Sequence, residues 1–178
     1  MDIGAGNGFL IIELAKRYPK STCTGLDYWG KNWEYSRHTC EQNALLEGVD
    51  SRVSFTNGSA SKLPFEDGHF DSAVSNLTFH EVKDEKNKPL LIQEALRVVK
   101  NGGKFSFLDL FFDTSHYSDT GGLKDYLDSL GLKECSLIKV TDVIDLPPIL
   151  RYRRVLGKAG IVYGTKYYFV TSLHNLSY

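Results

Sequence analysis

Asp2-Ile3-Gly4-Ala5-Gly6-Asn7-Gly8-Phe9 is the stretch on which the fold turns. A short apolar piece of strand character runs into three glycines at alternate positions. A helical pattern follows over residues 9–18, with Leu10, Ile11, Leu14 and Ala15 on one side and Pro19 closing it. Glycines in this arrangement allow a tight turn whose backbone can touch a ligand. The dinucleotide fingerprint G-x-G-x-x-G would need its third glycine where Phe9 stands, and Gly8 comes one residue too early. Asp2, two positions before the first glycine, is an awkward neighbour for a pyrophosphate. The loop suits a ligand with no phosphate and a cationic part.

Outward from this loop, patterns of period 2 and period 3.6 alternate. Residues 21–26 read as a strand ending at Asp27, and residues 33–46 as a helix closed by Gly48. Strands are expected at 53–56 and 71–77, with a short, weakly patterned crossover between them. A helix over 89–100 is expected to end at Asn101-Gly102-Gly103, before a strand at 104–111. A helix at 123–130 and strands at 132–140 and 161–170 complete the chain. Strands alternating with helices imply an α/β protein, a doubly wound sheet covered on both faces. No linker or repeat divides residues 1–178, so a single domain is expected, with 141–160 as an insert between the last two strands.

The 178 residues are 42% hydrophobic and 24% charged, with a formal net charge of −1. A chain of this length buries about 70% of its unfolded surface. Near-neutrality argues against nucleic acid as a partner, because such binding draws its affinity from neutralised phosphates. No apolar run reaches the ~18–20 residues of a transmembrane segment, and no secretory signal is visible. Cys23, Cys40 and Cys135 fit neither a disulfide framework nor a metal site, and read as free thiols of a cytoplasmic protein. From Pro147 onward there are five cations (Arg151, Arg153, Arg154, Lys158, Lys166) and no carboxylate, so that tail carries +5 and residues 1–146 carry −6. This is either a solvated face or a site for an anion.

Asp27, at the end of the second strand, can accept hydrogen bonds from both hydroxyls of a ribose. Asp2-x-Gly4-x-Gly6-x-Gly8 followed by Asp27 resembles the class I S-adenosylmethionine-dependent methyltransferases. Further matches come in family order: Asn57-Gly58-Ser59-Ala60, Leu63-Pro64-Phe65, Phe70-Asp71, Val74-Ser75-Asn76-Leu77, and Glu94-Ala95-Leu96-Arg97-Val98-Val99-Lys100-Asn101-Gly102-Gly103. The resemblance spans residues 1 to about 166. It implies a Rossmann-like, mostly parallel sheet of order 3-2-1-4-5-7-6 with an antiparallel last strand. It also implies S-adenosyl-L-methionine as cofactor and methyl transfer to a small-molecule acceptor. Asp2 and the backbone of Gly4, Ala5, Gly6 and Gly8 would meet the methionine part, and Asp27 the ribose. Tyr28 would flank the adenine, with Trp29 a second aromatic able to cover its face, and Ser59 and Ala60 would meet its edge. Asn76 and Leu77 would line the methyl-transfer site.

Two departures bear on this reading. Position 59 is usually an Asp in the family, and Ser59 offers only a neutral acceptor, a loss of about 1 kcal/mol. The first strand is incomplete, so the expectation is that the true start lies upstream of Met1, an inactive truncated methyltransferase being the alternative. A general base is needed only where the acceptor must lose a proton; His80 and Glu81 are the candidate catalytic residues, with Asp109 facing the same crevice. His38, His69, His116 and His174 read as surface residues, and no cluster has metal-ligand spacing. The insert, with its arginines, is read either as a structural cover or as shaping the choice of an apolar or anionic acceptor. A non-catalytic S-adenosylmethionine- or nucleotide-binding module is the alternative of a different class. A nicotinamide oxidoreductase is disfavoured by Phe9.

Overall fold

The computed structural model has the alternating strands and helices, but its sheet is not covered on both faces throughout as expected: Ala73, Phe105 and Phe107 are buried, whereas Ser72, Lys104 and Ser106, which alternate with them, are exposed. It describes residues 1–30, 36–117, 120–152 and 156–168. The elements are β1 (Asp2–Ile3), α1 (Phe9–Arg17), β2 (Cys23–Asp27), α2 (Arg37–Leu46), β3 (Val53–Asn57) and β4 (Phe70–Asn76). After a 3-10 turn (Phe79–Glu81) come α3 (Pro89–Arg97), β5 (Val99–Asp109), α4 (Thr120–Ser129), β6 (Leu132–Lys139), α5 (Val140–Val143) and β7 (Gly160–Tyr168).

The seven strands form one sheet in the order β3-β2-β1-β4-β5-β7-β6. Only β7 runs against its neighbours, β5 and β6. Both residues of β1 pair on both sides, Asp2 with Gly25 and Val74, Ile3 with Leu26 and Ser75. The chain leaves β1 toward β2 on one side, and β4 begins the other half. A crevice must therefore open beyond the carboxyl ends of β1 and β4, the usual ligand position in such sheets.

One apolar cluster joins Ile3, Leu26, Phe105 and Phe107 of the sheet to Leu91, Ile92 and Leu96 of α3 and Leu123 and Leu127 of α4. A second joins Ile11, Ile12 and Ala15 of α1 to Cys40, Ala44, Val53 and Phe55. The insert carries a small core of its own, in which Val140, Leu146 and Ala159 pack with Leu108, Leu110 and Ile161.

The expected helix over 89–100 is too long, and the following strand starts earlier than expected. Val98 and Val99 are fully buried, and Val99 already pairs with Phe70. The ladder resumes only at Lys104 opposite Ser72, so Asn101-Gly102-Gly103 forms a bulge inside β5 and does not cap α3. Gly103 is required there, because a Cβ would lie 2.6 Å from Val99 Cγ1 and 2.7 Å from the Asp71 carbonyl. The expected helix start at residues 33–36 falls largely outside the described residues, as do Trp33 and residues 169–178.

The Glu94-x-x-Arg97 pair has a structural task. Arg97 donates to the carbonyls of Phe65 (2.8 Å) and Leu63 (3.0 Å), while Glu94 Oε1 accepts from Leu63 N at 2.7 Å. Glu94 also holds the Arg97 guanidinium through both oxygens, at 2.8 Å each. The β3–β4 crossover is thus clamped to α3. Arg97→Ala should cost about 2 kcal/mol in urea unfolding, since it strands backbone acceptors and a half-buried carboxylate. Affinity for an adenosyl ligand should stay within threefold.

Candidate functional site

A cavity of about 220 Å³ opens at the crevice, just below the ~300–1,000 Å³ usual for ligand pockets. Gly4, Gly6 and Asp27 line it from one side and Asn76, Leu77 and Glu81 from the other. Trp29, Thr78 and Val82 complete the wall.

The glycine turn is held from below and behind. The amides of Gly4 and Ala5 both donate to Leu26 O, at 2.7 and 2.9 Å. Gly6 N donates to Asp27 Oδ2 at 2.8 Å. The outer carbonyls are tied by residues that sequence patterns did not single out for this. Trp29 Nε1 (2.8 Å) and Cys40 Sγ (3.2 Å) both reach Gly6 O, and Asn43 Nδ2 reaches Asn7 O at 2.9 Å. Gly4 has φ +80, and a Cβ there would overlap the Thr78 side chain at 2.0 Å, so the turn and the end of β4 close on each other only through glycine.

Asp27 also accepts from Trp29 N at 3.2 Å through Oδ1. An ionised carboxylate has about four acceptor positions, so two remain for a ligand. Asp2 lies under the turn with 1% of its surface exposed, and its Oδ1 has no hydrogen-bond partner among the described residues. Burial pushes its carboxyl up to about 7, with Asp27 adding to the rise and the chain's amino terminus opposing it.

Beyond the cavity wall stands a chain of ionisable groups. Asp109, fully buried at the end of β5, accepts from Leu110 N at 2.6 Å and from His80 N at 3.2 Å. His80 Nδ1 lies 2.7 Å from Asp109 Oδ1. Because the carboxylate can only accept, the network assigns the proton to Nδ1 and leaves Nε2 free to accept. Nε2 is 3.3 Å from Glu81 Oε1. Burial opposes the imidazolium, but the hydrogen bond and charge of Asp109, helped by Glu81, raise the His80 pKa overall.

The cavity therefore brings Gly4, Gly6, Asp27, Asn76, Leu77 and Glu81 together. Asp2, Ala5, Gly8, Ser59, Ala60 and His80 are not in its lining, and Tyr28 is 64% exposed beside it. His116, expected at the surface, is half-buried with its ring 5.5 Å from His80; His174 lies outside the described residues. Ser59 is not alone: Asp84 Oδ2 accepts from Ser59 Oγ at 2.8 Å and from Ser61 Oγ at 2.7 Å. Leu77 holds φ +54, a strained value for a branched residue and a common mark of a functional turn. Of the basic tail, Lys158 pairs with Asp113 at 2.8 Å, buried Lys166 donates to Val99 O at 2.6 Å, and Arg151 holds Leu146 O and Asp145. Arg153 and Arg154 lie outside the described residues.

A mostly parallel sheet with a glycine turn lacking the dinucleotide spacing and an acid ending β2 defines a class of nucleoside-binding enzymes. Comparison with known proteins makes the assignment specific. The family model described as "Methyltransferase domain" matches residues 1–107. Ajmaline N-methyltransferase of Rauvolfia serpentina is 29% identical over 108 residues, covering 61% of this chain and 34% of that protein. The glycine/sarcosine/dimethylglycine N-methyltransferase of Actinopolyspora halophila is 30% identical over 135 residues, 74% of this chain and 22% of that protein. The chain thus spans about a third or less of the length of these relatives. Among solved structures, a SAM-dependent methyltransferase from Aquifex aeolicus superposes with a TM-score of 0.64 at 17% identity, covering 93% of this chain and 80% of that one. The [4+2]-cyclase SpnF superposes with a TM-score of 0.68 at 18% identity, covering 94% and 74%. The chain belongs to the class I S-adenosylmethionine-dependent methyltransferases.

The residues present fit that cofactor. The orphaned, buried Asp2 oxygen suits a cationic amino group, the open positions on Asp27 suit a diol, and the glycine turn offers backbone without Cβ at the cavity wall. Among the described residues no group of three or more His, Cys, Asp or Glu is placed to hold a metal ion, and no helix is long and apolar enough to cross a membrane.

Proposed function

We propose that this chain binds S-adenosyl-L-methionine in the crevice and transfers its methyl group to a small-molecule acceptor. The observation that supports this best is the joint held by Asp27 across the cavity mouth, Oδ2 on Gly6 N and Oδ1 on Trp29 N. It presents a carboxylate and a glycine turn to one ligand. When bound, the cofactor supplies an electrophilic methyl carbon on a good, neutral leaving group. The protein's part is to place and to dry the acceptor.

In this reading Asp2, Gly4, Ala5, Gly6 and Gly8 hold the methionine end, and Asp27 holds the ribose. Tyr28 and Trp29 flank the adenine; Ser59 and Ala60 meet its edge. Asn76 and Leu77 border the acceptor. Ser59 recovers much of what an Asp would supply, because its proton is committed to Asp84 and its lone pair is correspondingly more basic. Asp84→Ala should therefore weaken S-adenosylhomocysteine binding about tenfold, measured by calorimetry. An unchanged affinity rejects that role. Residues 1–178 act as one domain, the insert over 141–160 serving as a cover. The free thiols fit the cytoplasm, and near-neutral charge fits an acceptor other than nucleic acid.

The SpnF likeness favours one second reading, since a protein named as a cyclase shares the fold. On that reading the chain binds the adenosyl ligand and transfers nothing. Calorimetry with S-adenosylhomocysteine tests binding, and release of labelled methyl from S-adenosylmethionine into product separates the two.

A further inference from the structure

Among the described residues the cavity lining contains two carboxylates, Asp27 and Glu81, one indole, Trp29, and no Lys, Arg or His. The described members of the basic tail are engaged elsewhere. If Asp27 serves the cofactor's ribose, Glu81 is the carboxylate left over, and it is 53% exposed on the cavity side. An anion would meet repulsion here, whereas an ammonium would meet a carboxylate.

Glu81 has an unusual backing. Its Oε1 stands 3.3 Å from His80 Nε2, His80 Nδ1 stands 2.7 Å from Asp109, and Asp109 is fully buried. An exposed carboxylate alone is a poor base at neutral pH. A carboxylate that can pass its proton to an imidazole held by a buried aspartate is a better one. The groups facing His80 are Asp109, Glu81, His116 and the more distant Lys88, and Tyr117, close enough to Asp109 for its charge to matter, keeps a buried hydroxyl without a partner among the described residues.

We propose that the acceptor is a small amine that enters as an ammonium ion, and that Glu81 takes its proton and hands it to His80 Nε2. This rests on the methyl-transfer reading above. The N–H bond breaks with its electron pair remaining on nitrogen. The proton crosses to Glu81 and comes to rest on the imidazole, where Asp109 stabilises the imidazolium; from there it leaves to solvent after turnover. Glu81 is the catalytic residue, because it alone of the three lines the cavity. His80 and Asp109 are positioning residues.

Five measurements test this. Calorimetry with S-adenosylhomocysteine comes first, and no binding refutes the methyl-transfer reading itself. The wild-type protein is then incubated with methyl-labelled S-adenosylmethionine and a mixture of small primary and secondary amines, phenols, thiols and carboxylates. Labelled N-methyl product supports the proposal; O-, S- or C-methyl product, or no label from a protein that binds S-adenosylhomocysteine, overturns it. Glu81→Gln, an exposed and conservative change, should lower kcat/KM for the amine about 100-fold and leave S-adenosylhomocysteine affinity within threefold. Finally, NMR titration of the His80 ring, free of any turnover, should give a pKa above the ordinary 6.5 that falls in Glu81→Gln. kcat/KM should rise with pH through that same pKa, since only neutral His80 can receive the proton. A His80 titration indifferent to Glu81→Gln, or an amine rate flat across it, overturns the relay.

Discussion

Asp27→Ala is expected to weaken S-adenosylhomocysteine binding about 1,000-fold. Both Asp27 oxygens already hold the protein, one on Gly6 N at 2.8 Å and one on Trp29 N at 3.2 Å, and each keeps a position for a ligand hydroxyl. A hydrogen bond to a charged group contributes about 1.5–3 kcal/mol. Losing two, with a looser turn besides, comes to about 4 kcal/mol, or three decades of affinity. Asp27→Asn keeps the shape and one acceptor, and should lose about 30-fold, one charged bond in place of two. Calorimetry reads both. Thermal unfolding offers a check that is independent of heats: S-adenosylhomocysteine at a hundred times its wild-type Kd should add about 2.7 kcal/mol to the wild type and almost nothing to Asp27→Ala. If the Ala variant binds within threefold of wild type, Asp27 is not the ribose anchor.

The fold was legible in the sequence because its signals are periodic and local. Alternating strands and helices, a glycine turn and a terminal pair of strands survive any change of neighbours; the order of the seven strands and the antiparallel last one are implied by the family resemblance, and the structure has both. The errors fall where one local signal has two physical uses. Asn101-Gly102-Gly103 stops a helix as readily as it forms a bulge, and only the burial of Val98 and Val99 decides between them. The site is legible in its covalently adjacent parts, such as Gly4–Gly8 and Asp27. It is illegible where the contact is distant in sequence. Asp84 meets Ser59 across 25 residues, Asp109 meets His80 across 29, and Asn43 meets Asn7 across 36. Such pairings leave no periodic trace. The same holds for exposure: His80 and Glu81 are neighbours in the chain, but the turn at Phe79–Glu81 puts one behind the cavity wall and the other on it.

Asp2 carries the second large effect, and it concerns stability. Its carboxyl is 1% exposed, one oxygen lacks a partner among the described residues, and its pKa is pushed from 3.8 up to about 7 by burial. The folded protein therefore binds a proton there that the unfolded chain gives up near pH 4. Between about pH 4 and pH 7 stability falls as pH rises, because the native state holds more protons over that range. About three pH units at 1.36 kcal/mol each amount to about 4 kcal/mol from this one group. Urea unfolding of the unliganded protein from pH 4 to pH 8 should show that decline, and Asp2→Asn should remove it, leaving the variant a few kcal/mol more stable than wild type at pH 8. A destabilising carboxylate of this kind is tolerable where a ligand neutralises it, and perturbed titration is common at such positions. S-adenosylhomocysteine, whose amino group is cationic, should then favour ionised Asp2 and expel its proton on binding near pH 6. Binding heats measured in buffers of different ionisation enthalpy would show that release in the wild type and its absence in Asp2→Asn, whose affinity should fall about tenfold to 100-fold for want of the charge. A stability profile with the same slope in both proteins would place the titrating group elsewhere. Proton release of equal size in both would remove Asp2 from the cofactor's amino end.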